Sequence, residues 1–319
     1  MTRSVATPSC VQSRLCLGTA QLGADYGRTN LTGQPSTSEA KDIVRMALAA
    51  GIRFFDTARA YGTAENLLGD LHGEIALHGA HVITKLDPLA TLTGEADAAN
   101  VELAVDTSIA KSLHALQTTT LDTLLLHRWS HYRAHQGKIW NRLLLHKRRG
   151  TVLELGASIY TPVEALEALA DPDIRHLQIP FNVLDWRWKD PEMEAAFLRR
   201  PDVTIHARSA FLQGVIPADA KLWPQVTNNH AQQTVDALES LVRELRLNSR
   251  AELCIAYALS QPWIKRIVVG VELRQQLAQN LRLLETRTLD LEEQSLIAMR
   301  LPRASPSLLD PASWPSRGL

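Results

Sequence analysis

The chain has 319 residues, 45% of them apolar, and its 34 basic side chains balance 34 acidic ones. That size suits one large barrel or two smaller domains, and the even charge excludes the basic footprint of a nucleic-acid or anionic-membrane binder. Three cysteines, Cys10, Cys16 and Cys254, have no metal-ligand spacing and form no even framework, so they read as reduced thiols of a cytoplasmic protein. The sequence opens without a charged-then-apolar leader, and no apolar run is long enough to span a bilayer, so neither nucleic acid nor membrane is expected as a partner.

In chain order, residues 15–20 read as a first strand entering a glycine-containing turn, and 21–36 as a long loop. Thr37 or Ser38 can cap a helix running to Ala50, with Ile43, Val44, Ala47 and Leu48 on one face. Gly51 ends that pattern. The apolar run 52–55 is long enough for a buried strand and ends on Asp56. A polar turn holding Tyr61 and Gly62 leads into a helix over 63–77. Residues 82–86 form a third strand with Lys85 near its end, followed by a helix over 100–116. A fourth strand, 123–127, ends on His127, and 139–146 is helical. Strands at 153–158, 174–179 and 203–207 follow, with Pro162 at a first helical position after the fifth. A helix-rich stretch at 230–259 precedes the last strand, 267–269, and a closing helix, 273–284.

Eight strand candidates, each followed by a helical stretch, predict a single-domain α/β fold, a (β/α)8 TIM barrel spanning 1–319. Residues 1–14 form a lead-in, and the Pro- and Ser-rich 302–319 an extra C-terminal tail or lid. A doubly wound sheet is the competing architecture. It is disfavoured because no GxGxxG follows the first strand.

Four ionisable or phenolic groups fall at or just after three successive strand ends: Asp56, Tyr61, Lys85 and His127. In a barrel these ends converge on the face where chemistry is done. A tyrosine is a weak acid, with a reference pKa of about 10. A neighbouring ammonium favours the phenolate and lowers that value. The ammonium in turn needs a carboxylate to stay charged when buried, and Asp56 can supply it. His127 can hold a carbonyl oxygen in register with Tyr61. Such a set polarises a carbonyl and protonates it after hydride arrives. Taken singly, each residue has a plainer role: a cap, a solvated charge, a packing histidine. Taken together and in this order, the chemical reading is favoured.

The segments DTARAYG at 56–62, ITK at 83–85 and LLLH at 124–127 resemble the catalytic tetrad of the aldo-keto reductases, and the resemblance runs from the first strand to Asn280. It implies a (β/α)8 barrel and metal-free carbonyl reduction with NADP(H), with NAD(H) as the alternative. Tyr61 would then be the general acid, Lys85 would tune it, Asp56 would orient Lys85 and border the cofactor, and His127 would position substrate. Gly18, Thr19 and Ala20 resemble the family's first turn, along the nicotinamide. Ser158 and Gln178 match positions that hydrogen-bond the carboxamide. Ile159 stands where an asparagine often follows that serine, so one amide contact is expected to be missing.

The stretch 208–214 resembles the family's Tyr-Ser-Pro-Leu-x-x-Gly segment, with Ser209, Phe211 and Gly214 expected at the cofactor. Arg208 replaces the stacking tyrosine, and a planar guanidinium can stack as well. Gly270, Gln276 and Asn280 match the adenosine-phosphate loop and helix. Glu272 and Leu273 replace the basic and hydroxyl residues that hold the 2′-phosphate. Arg274 is therefore expected to take over that phosphate, with Glu272 turned to solvent.

Tyr26, Trp129, Trp186, Arg187 and Trp188 are candidates for substrate contact. Aromatic walls suit a small-molecule carbonyl compound with an apolar or sugar-ring body. Two other readings stand beside this one. The first is a cofactor-binding regulatory subunit, which would not need Tyr61 and Lys85 together. The second is a barrel enzyme using tightly bound nicotinamide for internal redox such as epimerisation.

Overall fold

The computed structural model describes residues 14–92, 96–226 and 230–315. Cys10, residues 1–13 of the expected lead-in and the last four of the tail lie outside them. Eight strands form a closed barrel in sequence order: β1 (Leu15–Gly18), β2 (Phe54–Asp56), β3 (His81–Lys85), β4 (Leu121–Leu126), β5 (Val152–Ser158), β6 (Ile174–Pro180), β7 (Thr204–Arg208) and β8 (Arg266–Gly270). Every neighbouring pair is parallel, and β1 against β8 closes the ring. All eight predicted strands are present, and the architecture is the TIM barrel expected.

Strand alternation sorts the side chains into two cores. Cys16, Ile83 and Leu125 pack inside the ring with Phe54 and Val268, while the larger apolar cluster fills the layer between strands and helices. A strand sends residues i and i+2 to the same face. Stepping two residues on from the inner cluster reaches Gly18, Asp56, Lys85, His127 and Gly270. The same parity from Gly156, His176 and His206 reaches Ser158, Gln178 and Arg208. Register brings these ends level: Gly18 pairs with Asp56 and with Gly270, and Ser158 with Gln178. Lower in the ring, His176 and His206 meet edge to face with centroids 4.3 Å apart, and the Arg266 guanidinium lies 3.3 Å over the Phe54 ring.

The helices depart from expectation in four places. The first loop contains a single helical turn, Ala20–Gly23. The helix Thr37–Ala49 is capped one residue earlier than predicted, by Ser36, whose hydroxyl accepts from the Glu39 amide at 3.3 Å. The helix expected over 63–77 is two, Ala64–Gly69 and His72–Leu77. Gly69 lies against the Ala115 backbone, where a Cβ would come within 2.0 Å of the carbonyl oxygen. That contact favours glycine, and glycine weakens a helix interior. The stretch 230–259 is helix-rich as expected, holding Ala231–Glu244 and Arg250–Leu259.

The supposed closing helix, Arg274–Leu283, is followed by another, Leu291–Arg300, which starts with a reciprocal Asp290–Glu293 capping box. Beyond it, residues 302–315 brace the loops at the C-terminal mouth of the barrel. Trp186 Nε1 donates to the Ala304 carbonyl at 3.3 Å, and Arg28 donates to that of Pro315 at 2.9 Å. None of residues 302–315 lines the central cavity. Among the described residues, no helix is long and apolar enough to cross a membrane.

Candidate active site

A cavity of about 800 Å³ opens at the C-terminal ends of the strands, running from Asp56, Tyr61 and His127 to Asn280 and Leu283. At its floor, Lys85 Nζ donates to both carboxylate oxygens of Asp56, at 2.7 and 2.8 Å, and to the Thr57 carbonyl at 2.9 Å. Gln178 Nε2 donates to Asp56 Oδ1 at 2.6 Å. Asp56 is 3% exposed and Lys85 1%, so the pair is fully desolvated and survives because both charges are hydrogen-bonded. Burial works against the Lys85 ammonium, but the charge and hydrogen bond of Asp56, with Tyr61 adding to them, hold its pKa above the usual lysine value.

The Tyr61 ring stands with its centroid 4.8 Å from Lys85 Nζ and edge-on to His127, at 6.1 Å and 89°. Its pKa is raised, not lowered as the sequence suggested. Burial pushes it up by more than the Lys85 charge pulls it down, and Asp56 adds to the rise. The phenol therefore stays protonated at neutral pH, the state a proton donor requires. Burial, helped by the charges of Lys85 and Arg208, depresses the His127 pKa to about 3. The imidazole is neutral and has one N–H to give. Its Nδ1 is buried without a protein partner among the described residues.

The turn that carries Tyr61 is fixed from beneath by residues that no sequence pattern singles out. Arg59 pairs with the buried Glu65 carboxylate, which also accepts from Thr84 Oγ1 at 2.6 Å. Thr19 supports Asp56 through its backbone, Oγ1 to carbonyl at 2.9 Å, rather than lining the cavity as predicted.

Gly18, Ala20, Ser158, Gln178, Arg208, Ser209, Phe211, Gly214, Gly270, Gln276 and Asn280 all line the cavity, as does Tyr26. Gln178 Oε1 is buried and unpartnered among the described residues, an acceptor left for a donor from elsewhere. Arg208 lies with Cζ 4.5 Å over the Tyr160 ring and donates to the Ile159 carbonyl at 3.3 Å. Tyr160 thus takes one face of the guanidinium, a contact the sequence does not predict. The loop after β7 turns through left-handed backbone at Ser209, Leu212, Gln213 and Gly214. It is joined to the first loop by Gln213 Nε2 to Tyr26 Oη at 3.1 Å.

Five further residues expected at substrate or cofactor do not line the cavity. Trp129 is stacked on Tyr132 and donates Nε1 to Glu167 at 2.8 Å, away from the cavity. Trp186 faces the tail through Ala304 and Arg303, and its neighbours Arg187 and Trp188 bond Asp185 instead of substrate space. Arg274 is 59% exposed, lies near Asp42 at 3.7 Å and does not line the cavity. Glu272, expected to face solvent, lines it instead. Arg282, Gln279 and Ser249 also line this end, and none was expected there. Gln279 stands three residues past Gln276, and Arg282 three past Gln279, spacings that bring successive side chains to one helix face and are the signal for them in the sequence.

A closed parallel barrel with its polar side chains gathered at the strand C-termini belongs to the (β/α)8 enzymes. The family model for the aldo/keto reductase family matches residues 14–299, and the chain belongs to that family, whose members carry out NAD(P)H-dependent carbonyl reduction. Its fold is similar to that of aldo-keto reductase AKR11C1 from Bacillus halodurans, solved in its holo form. The TM-score is 0.72 at 20% identity, over 93% of this chain and 95% of that one. It is also similar to a protein from Pseudomonas aeruginosa assigned to the aldo-keto reductases. Here the TM-score is 0.59 at 20% identity, over 85% of this chain and 88% of the other.

Proposed function

We propose that this enzyme reduces an aldehyde or ketone to the alcohol, with Tyr61 as the proton donor and a nicotinamide dinucleotide held along the cavity. The residues suit such a cofactor: the orphaned Gln178 Oε1 and the buried Ser158 stand side by side, matched to a carboxamide, in a cleft lined by Gly18 and Gly270. When bound, the cofactor supplies hydride to the carbonyl carbon. The chain supplies the rest. Neutral His127 donates its N–H to the carbonyl oxygen and sets it beside the Tyr61 phenol. Tyr61 gives up its proton as negative charge develops on that oxygen, and Lys85 stabilises the phenolate left behind. Asp56 keeps Lys85 charged, and Gln178 keeps Asp56 in place. Solvent then restores the phenol.

The observation that carries this reading is the Tyr61 ring centroid 4.8 Å from the Nζ of a lysine held by a buried carboxylate, at the floor of the cavity. The test is Tyr61→Phe, assayed over a panel of aldehydes and ketones by oxidation of the reduced cofactor. General acids contribute about 100- to 10,000-fold, and turnover should fall by that much while cofactor affinity is kept. Full turnover in the variant would remove Tyr61 from the mechanism.

A further inference from the structure

The far end of the cavity is built around Glu272, two residues past β8, and Gln276, in the first turn of the helix Arg274–Leu283. Gln276 Oε1 accepts the backbone N–H of Glu272 at 2.9 Å and of Leu273 at 3.2 Å. Gln276 Nε2 donates to Glu272 Oε1 at 2.8 Å. The amide is therefore spent at both ends. It occupies the N–H of the cap residue Leu273 and of the residue before it, where a helix start would otherwise attract an anion, and it fixes the Glu272 carboxylate on the cavity wall. The second carboxylate oxygen has no donor among the described residues.

We infer that Glu272 makes this enzyme selective for NAD(H) over NADP(H), accepting a hydrogen bond from the free ribose 2′-hydroxyl and repelling a 2′-phosphate. This rests on the reading of the cavity as a nicotinamide dinucleotide site, and by the resemblance this end is where the adenosine ribose lies. A hydroxyl can donate to the free carboxylate oxygen, as at dinucleotide sites where an acidic residue holds the ribose. A 2′-phosphate is mostly dianionic at neutral pH and meets a like charge, the repulsive element on which selectivity often rests. Among the described residues lining this end, the cation that could oppose this is Arg282, exposed and without an ion pair. Arg274 is outside the cavity and lies near Asp42.

The experiment is a calorimetric titration of the full chain with NADH and with NADPH, without any carbonyl compound. NADH should bind at least roughly tenfold more tightly than NADPH, the scale set by like-charge juxtaposition at a partly buried site. Glu272→Gln and Glu272→Ser, which remove the charge with different side-chain lengths, should each close most of that gap, chiefly by strengthening NADPH. Arg282→Ala should leave the ratio as it is. Equal or tighter NADPH binding by the unaltered chain, or a ratio unmoved in both Glu272 variants, would overturn the inference. A selective loss of NADPH binding in Arg282→Ala would do the same. Binding of neither dinucleotide would overturn the oxidoreductase reading itself, a result distinct from the others.

Discussion

The two ends of the cavity are built by different means. At the catalytic end, Asp56, Lys85, Ser158, Gln178 and Arg208 stand on strands of a closed barrel, and their direction follows from backbone parity. The Lys85–Asp56 pair is locked by Thr57 and Gln178. At the far end, Glu272 and Gln276 stand on a loop and a helix start, and their direction follows from a mutual side-chain contact. A strand-borne site tolerates little change because its parts have no other place to go. A loop-borne site can change cofactor preference by one substitution while the chemistry at the other end stays intact.

Three substitutions test that contrast at the catalytic end. Asp56→Asn should have the largest effect on stability. Removing one partner of a buried ion pair leaves the other uncompensated, typically at a cost of about 3–5 kcal/mol, read as a fall in the denaturant midpoint. By contrast, Glu272→Gln should leave the midpoint nearly unmoved, and equal losses for the two would erase the distinction between the ends.

Lys85→Met should lower the rate of carbonyl reduction by about 100-fold or more, within the range for general acid catalysis, and change its pH dependence. Reduction needs a protonated Tyr61, so activity is lost as pH rises through the Tyr61 pKa. Burial and Asp56 raise that pKa while Lys85 lowers it. Without Lys85 it rises further, and the alkaline limb should move to higher pH. A limb that stays in place or moves down would mean that Lys85 does not act on the phenol.

Arg208→Ala should have the smallest effect. It removes the contact with Tyr160 and a cation from the cavity wall, interactions worth about 0.5–2 kcal/mol. Dinucleotide affinity should weaken by that amount, read in the same titration, with the unfolding midpoint unchanged. Unaltered affinity would mean that Tyr160 alone uses the guanidinium.

Much of the fold and of the catalytic end is legible in the sequence because both depend on short, local patterns. The second, third and fourth strands are short runs with Asp56, Lys85 and His127 at or just past their ends, so the sequence alone places these three on one face. The balance between burial and charge on Tyr61 is not legible, because it depends on how closely the turn held by Arg59 and Glu65 packs. Trp129 and Trp186 depart from expectation for a related reason: position after a strand does not fix which way a large ring turns, and Glu167 and Ala304 turn them away. Arg274 departs because Asp42, on a helix distant in sequence, draws it outward. The Leu291–Arg300 helix, by contrast, does carry a local signal. Asp290 and Glu293 have the spacing of a capping box.

The most direct measurement of the central claim follows deuterium from cofactor bearing it at the nicotinamide C4 into a reactive aldehyde, in the unaltered chain and in Tyr61→Phe. The account predicts deuterium on the alcohol carbon with the unaltered chain, and almost none with the variant although it still binds the cofactor. Equal deuterium transfer by both proteins would contradict the assignment of the proton to Tyr61.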